Sequence, residues 1–345
     1  MAVTINEPLN DVLGNYPVKV ISIRNESYKD KKGVWWITAP DRQLILKKIS
    51  NSEETLKFIL HAVRHLQSNG VKLPQVVKTT GGNDYVNINN TCYVLTEAID
   101  GKNPSYSSAR EMNSIVGALA GFHKASAGFT PPPDSKPKFH LGLWVEDYTA
   151  QLEEINDFYR KKQSDVESDA IGKTVIKEFP YFYERGQKAI EGLKGTDYTG
   201  WVNQAMKAGS LCHQDFAAGN LIMTNSSTMY VIDTDSITID IPARDIRKLL
   251  NKVMKKAGKW DIELTRKIFA AYQAVNPLTP SQWNVVKLDL QFPHLFIGSV
   301  NKYIYQRDKE WSKEKYHQRI IEMSAFEKTA DNVLKSFESI IPGVL

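Results

Sequence analysis

Residues 211–235 read Leu-Cys-His-Gln-Asp-Phe-Ala-Ala-Gly-Asn-Leu-Ile-Met-Thr-Asn-Ser-Ser-Thr-Met-Tyr-Val-Ile-Asp-Thr-Asp, and this stretch decides the fold. His213, Asp215 and Asn220 stand in an H-x-D-x-x-x-x-N pattern. Asn225-Ser-Ser227 separates two short apolar runs, which predicts a turn between two strands, since Asn and Ser favour turn backbone. Asp233 closes the second of these strands. A hairpin of this kind brings Asn220 and Asp233 together although they are distant in sequence. Fixed spacing followed by strand, turn and strand is a more specific signal than a loop that happens to contain acids.

These residue types meet the demands of phosphoryl transfer, in which an acceptor hydroxyl is oriented, its proton is taken up, and the triphosphate charge is neutralised by Mg²⁺. Asp215 is the expected catalytic residue, an acid on a loop facing the acceptor. Asn220 and Asp233 offer the hard oxygen ligands that Mg²⁺ takes together with water and phosphate oxygens, so both are expected metal ligands and nucleotide-binding residues. His213 is read as a hydrogen-bonded brace of the loop rather than a reacting group. Asp235 is either a second metal-facing acid or part of the loop structure. The cofactors expected are ATP and Mg²⁺.

Toward the N-terminus the chain is strand-rich. Residues 18–23 alternate like a strand, and 33–38 with 43–49 read as a hairpin. Ser50-Asn-Ser52 offers a helix N-cap, with Glu53 and Glu54 in the first turn. Leu56, Ile59, Leu60, Val63 and Leu66 recur at helical spacing up to Gly70. Strands at 84–88 and 92–97 follow. Beyond Gly101 the pattern changes to amphipathic helices, the first marked by Ile115, Leu119 and Phe122, with helical stretches at 145–195, 261–275 and 313–340. The expected fold class is α+β in two lobes. Residues 1–98 form a small antiparallel sheet plus helix that binds nucleotide, and residues 99–345 form a mainly helical lobe for catalysis and acceptor binding.

With 345 residues the chain can bury a substantial core. The net charge of +5 is modest, and no run of Lys and Arg is long enough to argue for nucleic acid. The two cysteines, Cys92 and Cys212, lie among apolar residues, which speaks against a disulfide framework and for a reducing compartment. No signal peptide and no membrane span is expected, hence a cytoplasmic, non-secreted protein with no membrane partner.

The H-x-D-x-x-x-x-N loop and the following Ile232-Asp-Thr-Asp235 resemble the aminoglycoside phosphotransferase and choline kinase group, which shares the protein-kinase-like fold. Within that group the chain resembles the CotS-like spore coat proteins over nearly its whole length. That likeness includes Gly33-Val-Trp-Trp-Ile-Thr38, Tyr93-Val-Leu-Thr-Glu-Ala-Ile-Asp-Gly101 and Ala118-Leu-Ala-Gly-Phe-His-Lys-Ala125, together with Phe292-Pro293, Tyr303 and Trp311 near the end. The resemblance implies that Lys47 is the phosphate-binding lysine on the third strand, with Lys48 facing the other way on the same strand. It implies that Leu95-Thr-Glu-Ala98 is the interlobe linker, whose backbone contacts the base, which leaves ATP and GTP both open. It also implies assembly in the mother-cell cytosol onto the spore coat, with other coat proteins as partners.

Two departures stand out. Kinases pair the strand lysine with a glutamate in the small-lobe helix, yet the only acids there are Glu53 and Glu54, at its start. The phosphate-covering loop, Asn25 to Gly33, carries a single glycine. These departures keep open a catalytically weak or inactive kinase-fold structural protein of the spore coat as the alternative. No A-P-E element follows Asp233, and Asp245 reads as an acid in the first turn of a helix. A small hydroxylated acceptor is therefore expected rather than a protein. The aromatics Trp144, Tyr148, Phe158, Tyr159, Tyr181, Phe182 and Tyr183 read as helix-packing core.

Overall fold

In the computed structural model, which describes residues 7–26, 33–165 and 169–343, a short helix α1 (Leu9–Leu13) precedes a five-stranded antiparallel sheet. Its strands are β1 (Ser22–Asn25), β2 (Val34–Thr38), β3 (Gln43–Ile49), β4 (Val86–Ile88) and β5 (Thr91–Glu97), in spatial order β1-β2-β3-β5-β4. Helix α2 (Glu53–Ser68) lies between β3 and β4 in sequence, and the Thr55 N–H donates to the Ser52 hydroxyl at 3.3 Å to cap it. Most of the expected phosphate-covering loop, residues 27–32, falls outside the described residues.

Side chains alternate across the sheet. Trp35, Ile37, Leu44, Leu46, Tyr93 and Leu95 form one buried layer with Val12, Leu13 and Tyr16. Val34, Trp36, Ile45, Lys47, Val94 and Thr96 face the other way and line a cavity. Lys47 stands opposite Val34 on β2 and Val94 on β5. Lys48 takes the opposite face, where its ammonium meets Glu7 at 2.5 Å. The first strand begins later than its alternation predicts: Val18 and Val20 are partly buried against the α1 layer as irregular chain, and pairing starts at Ser22. That alternation reflects one-sided burial without a ladder.

The remainder is mainly helical: α3 (Ala109–Ala125), α4 (Trp144–Gln163), α5 (Ala170–Leu193) and α6 (Thr196–Ala208), then α7 (Ala243–Ala257), α8 (Ile262–Gln273), α9 (Pro280–Gln291), α10 (His294–Ile304) and α11 (Lys313–Lys328). Between α6 and α7 run β6 (Leu211–Cys212), β7 (Leu221–Met223), β8 (Met229–Val231) and β9 (Thr238–Ile239), with β6 paired to β9 and β7 to β8. Phe58, Ile59, Ala62, Val63 and Leu66 of α2 belong to the same apolar core as α3 and the later helices. Burying each such side chain fully contributes about 1.5–3 kcal/mol, so α2 fastens the sheet to the helical lobe. Trp144, Tyr148 and Phe182 are core residues, whereas Tyr181 is exposed. Cys92 and Cys212 are buried free thiols. Among the described residues no helix is long and apolar enough to cross a membrane.

Candidate active site

The loop after β6 owes its shape to a residue outside it. Asp245, in the first turn of α7, is fully buried. Its carboxylate accepts from the His213 N–H at 2.6 Å and the Gln214 N–H at 2.9 Å, and faces the His123 imidazole at 3.3 Å. Burial pushes the Asp245 carboxyl up, but the His123 contact and neighbouring positive charge outweigh this and hold it below the usual range. These bonds secure Gln214 in a left-handed conformation, φ +69°, which costs a non-glycine residue on the order of 1 kcal/mol or more. The loop then reverses and presents Asp215 outward.

His213, expected to brace the loop, is fully buried and hydrogen-bonded through both ring nitrogens. Its Nε2 donates to the Ile232 carbonyl at 3.1 Å, and its Nδ1 accepts from the Asp215 N–H at 3.3 Å. Burial lowers its pKa against the pull of Asp245, Asp233 and Asp215, which keeps the ring neutral in this arrangement. It ties the Asp215 loop to the end of β8. A second brace is Tyr106, whose hydroxyl accepts from the Ala218 N–H at 2.8 Å.

The β7–β8 hairpin forms as the turn residues predict, with Leu221 opposite Val231. The Ile232 N–H donates to the Asn220 carbonyl at 2.9 Å, which sets Asn220 beside the residue preceding Asp233. The Asn220 amide nitrogen donates to both the backbone oxygen and the carboxylate of Asp215, each at 2.8 Å. Asp233 adopts φ +57°, ψ +58° at the start of a single 3₁₀ turn (Thr234–Ser236). Its carboxylate accepts from the Lys47 ammonium at 3.1 Å. The expected site residues thus meet in two pairs, Lys47 with Asp233 and Asn220 with Asp215, and the Ile232–Asn220 backbone bond joins the segments that carry them, with His213 bonded to both segments. Asp235 lines the same cavity as Asp233, and its backbone oxygen accepts from Lys138 at 2.5 Å.

That cavity encloses about 250 Å³, near the lower end for small-molecule sites. Its walls are largely apolar: Val34, Trp36 and Ile45 from the sheet, and Leu56, Ile59 and Val63 from α2. Thr96 and Glu97 of the expected linker border it, as does Ile99 just beyond. No α2 carboxylate reaches Lys47. Glu53 accepts from Tyr85 and from Asn87, both at 2.6 Å, and Glu54 is exposed. The carboxylate that meets Lys47 is instead that of Asp233.

Sequence reading missed one participant. Lys252, on α7, forms an ion pair with the outer oxygen of Asp215. Burial pushes the Asp215 carboxyl up, yet Lys252 and the Asn220 amide more than offset this and hold it below the usual carboxylate range. Lysines and arginines at every fourth position of α7 were the available signal.

Residues 21–337 match the family described as "Spore coat putative kinase YutH". The chain belongs to this family. It is 31% identical to Spore coat protein S of Bacillus subtilis strain 168 over 326 residues, covering 94% of this chain and 92% of that protein. The spore coat family member also superposes on an aminoglycoside phosphotransferase structure from Alicyclobacillus acidocaldarius with TM-score 0.82, at 17% identity and covering 96% of this chain and 95% of that one. The amicoumacin kinase hAmiN, solved in complex with AMP-PNP, Ca²⁺ and Ami, gives TM-score 0.63 at 15% identity, covering 93% and 92%. The fold is the two-lobed, kinase-like fold of the aminoglycoside phosphotransferases, as residues 211–235 led us to expect.

Proposed function

We propose that this member of the spore coat family is an ATP- and Mg²⁺-dependent phosphotransferase acting on a hydroxyl of a small molecule. The observation that carries the reading is the linked set of Lys47, Asp233, Asn220 and Asp215, with the Lys47–Asp233 ion pair crossing from the small sheet to the catalytic hairpin. We assign nucleotide binding to a lobe of residues 1–98 and acceptor binding to residues 99–345. The likeness to a kinase solved with AMP-PNP and a divalent cation supports this choice of nucleotide and metal type.

The donor set suits Mg²⁺. Asn220 turns its amide nitrogen toward Asp215, which reserves its oxygen as the remaining donor, and Asp233 supplies a carboxylate. Bound there, Mg²⁺ neutralises charge on the triphosphate. Lys47 contacts the phosphates from β3. Asp215 orients the acceptor hydroxyl and takes its proton as the oxygen bonds to the γ-phosphorus and the bond to ADP breaks. Asp235 adds a second acid to the metal side. His213 holds the loop and transfers no proton.

The experiment is a screen of hydroxylated metabolites for ATP consumption, with the phosphorylated product identified by mass spectrometry. Turnover that is lost in Asp215→Asn supports the reading. One observation favours a second reading, a coat component that retains the fold without catalysis: α2 offers Lys47 no carboxylate. Similarity to Spore coat protein S supports coat assembly, from the mother-cell cytoplasm and with other coat proteins as partners, under either reading. A protein whose melting is unmoved by Mg·ATP and by Mg·GTP would favour the second.

A further inference from the structure

Arg244, Lys248, Lys252 and Lys255 recur at intervals of four, four and three along α7 and so share one helical face. That face lies against the Asp215 loop. Lys252 pairs with Asp215, and Lys248 donates to the backbone and side-chain oxygens of Gln214, both at 2.8 Å. The charges along the face are unevenly matched. Arg244 is answered by Asp240, which is itself buried and also accepts from the Trp144 indole. Among the described residues Lys252 is answered by Asp215 alone. Lys248 makes its hydrogen bonds to neutral oxygens, its nearby opposite charge is the buried Asp245 already bound by two backbone N–H groups, and burial pushes its ammonium down to about 8, with Arg247 adding to the effect. Burial likewise lowers Lys255, with Arg319 and Lys252 adding like charge against the opposing pull of Glu327. His140 lies near Arg244 and Lys248, with Asp147 4.0 Å away as its acidic neighbour.

Both oxygens of the Asp215 carboxylate are occupied, one by Lys252 and the other by Asn220. A neutral alcohol offers Lys252 nothing to replace a carboxylate. A polycationic acceptor would meet like charge along α7. An acceptor with its own anionic group does both jobs: it gives Lys252 and Lys248 a counter-charge, and by drawing Lys252 away it opens the Asp215 oxygen to its hydroxyl. We propose that the acceptor is a small hydroxylated anion, a hydroxy acid or a phosphorylated polyol, held by Lys252 and Lys248 beside Asp215. This rests on the phosphotransferase reading and names its acceptor class. Lys252 is then a specificity-determining residue.

The test is thermal melting in the presence of Mg·AMP-PNP, at constant ionic strength, with four probes: glycerate, glycerol 3-phosphate, glycerol and ethanolamine. Wild type, Lys252→Ala, Lys252→Arg and the exposed neighbour Lys256→Ala are compared. The expected result is a concentration-dependent rise in melting temperature with glycerate or glycerol 3-phosphate and none with glycerol or ethanolamine. The apparent affinity for the anion should fall by about tenfold or more in Lys252→Ala, recover in part in Lys252→Arg, and hold in Lys256→Ala. Which of the two anions acts tells carboxylate from phosphate. Equal shifts with glycerol, anion shifts that survive in Lys252→Ala, or no shift with either anion would overturn the proposal. Mg·AMP-PNP alone keeps the two levels apart. Stabilisation by it without an anion response defeats this proposal only, whereas its failure to stabilise defeats the phosphotransferase reading and this proposal together.

Discussion

The Lys47 ammonium lies 3.1 Å from a carboxylate oxygen of Asp233, joining β3 to the turn after β8 across 186 residues of sequence. Lys48, one residue on, points away and pairs with Glu7. The two lysines therefore make a built-in control. Lys47→Ala is expected to weaken Mg·ATP binding by about tenfold or more, roughly 1.4 kcal/mol, while Lys48→Ala leaves it within about twofold. Calorimetric titration of both variants measures this. Equal losses would mean that the strand register has no bearing on nucleotide.

Asp245 predicts a stability effect. It is fully buried, and its carboxylate satisfies two backbone N–H groups of the catalytic loop. Asp245→Ala strands those donors and is expected to cost about 3 kcal/mol or more, read as a lower midpoint in urea. Asp245→Asn keeps one acceptor oxygen and should cost less. A loss under about 1 kcal/mol in Asp245→Ala would show that the loop keeps its shape without this anchor.

Lys252 sets the acid limit of the proposed reaction. Burial raises the Asp215 carboxyl, but Lys252 and Asn220 outweigh it, so the folded pKa lies below the unfolded one. The ionised form is thus favoured by folding above the unfolded value, and that contribution is lost as pH falls through the folded value. Removing the Lys252 charge raises the Asp215 pKa. The acid limb of the kcat/KM profile should move upward in Lys252→Ala. An unmoved limb would separate Asp215 from the rate-governing ionisation.

Lys248 gives an alkaline signature. Its folded pKa is about 8, below the usual lysine value of roughly 10.4. Between these values the unfolded chain holds a proton that the folded chain has shed, so the unfolded state binds more protons and stability rises with pH. Relative to Lys248→Met, the wild type should gain stability from about pH 8 to 10 and show a flat difference below about pH 7, as measured by urea melts across that range. A flat difference throughout would place the ammonium in contact with water.

How much of this was legible in sequence depends on where each residue's partner lies. The hairpin after Asn220 was readable because turn chemistry and strand pattern are local. The register at Lys47 was ambiguous from residues alone: β3 carries apolar side chains on both faces, Leu44 and Leu46 on one, Ile45 and Ile49 on the other, so alternation could not choose between adjacent lysines. Helix α1 escaped notice because five residues carry too little periodicity. Asp245 was read as a helix-end acid, and its role as loop anchor depends on contacts 31 and 32 residues away. The Lys252–Asp215 pair spans 37 residues and follows from how α7 packs under the loop, which local pattern does not encode.

The central claim is that Asp233 and Asn220 hold a metal-bound nucleotide beside Lys47. Calorimetric titration of AMP-PNP into wild type and Asp233→Ala, with Mg²⁺ and again with EDTA, addresses it most directly. The account predicts binding to wild type that requires Mg²⁺ and a metal-dependent component absent from Asp233→Ala. Undiminished Mg²⁺-dependent affinity in Asp233→Ala would contradict it.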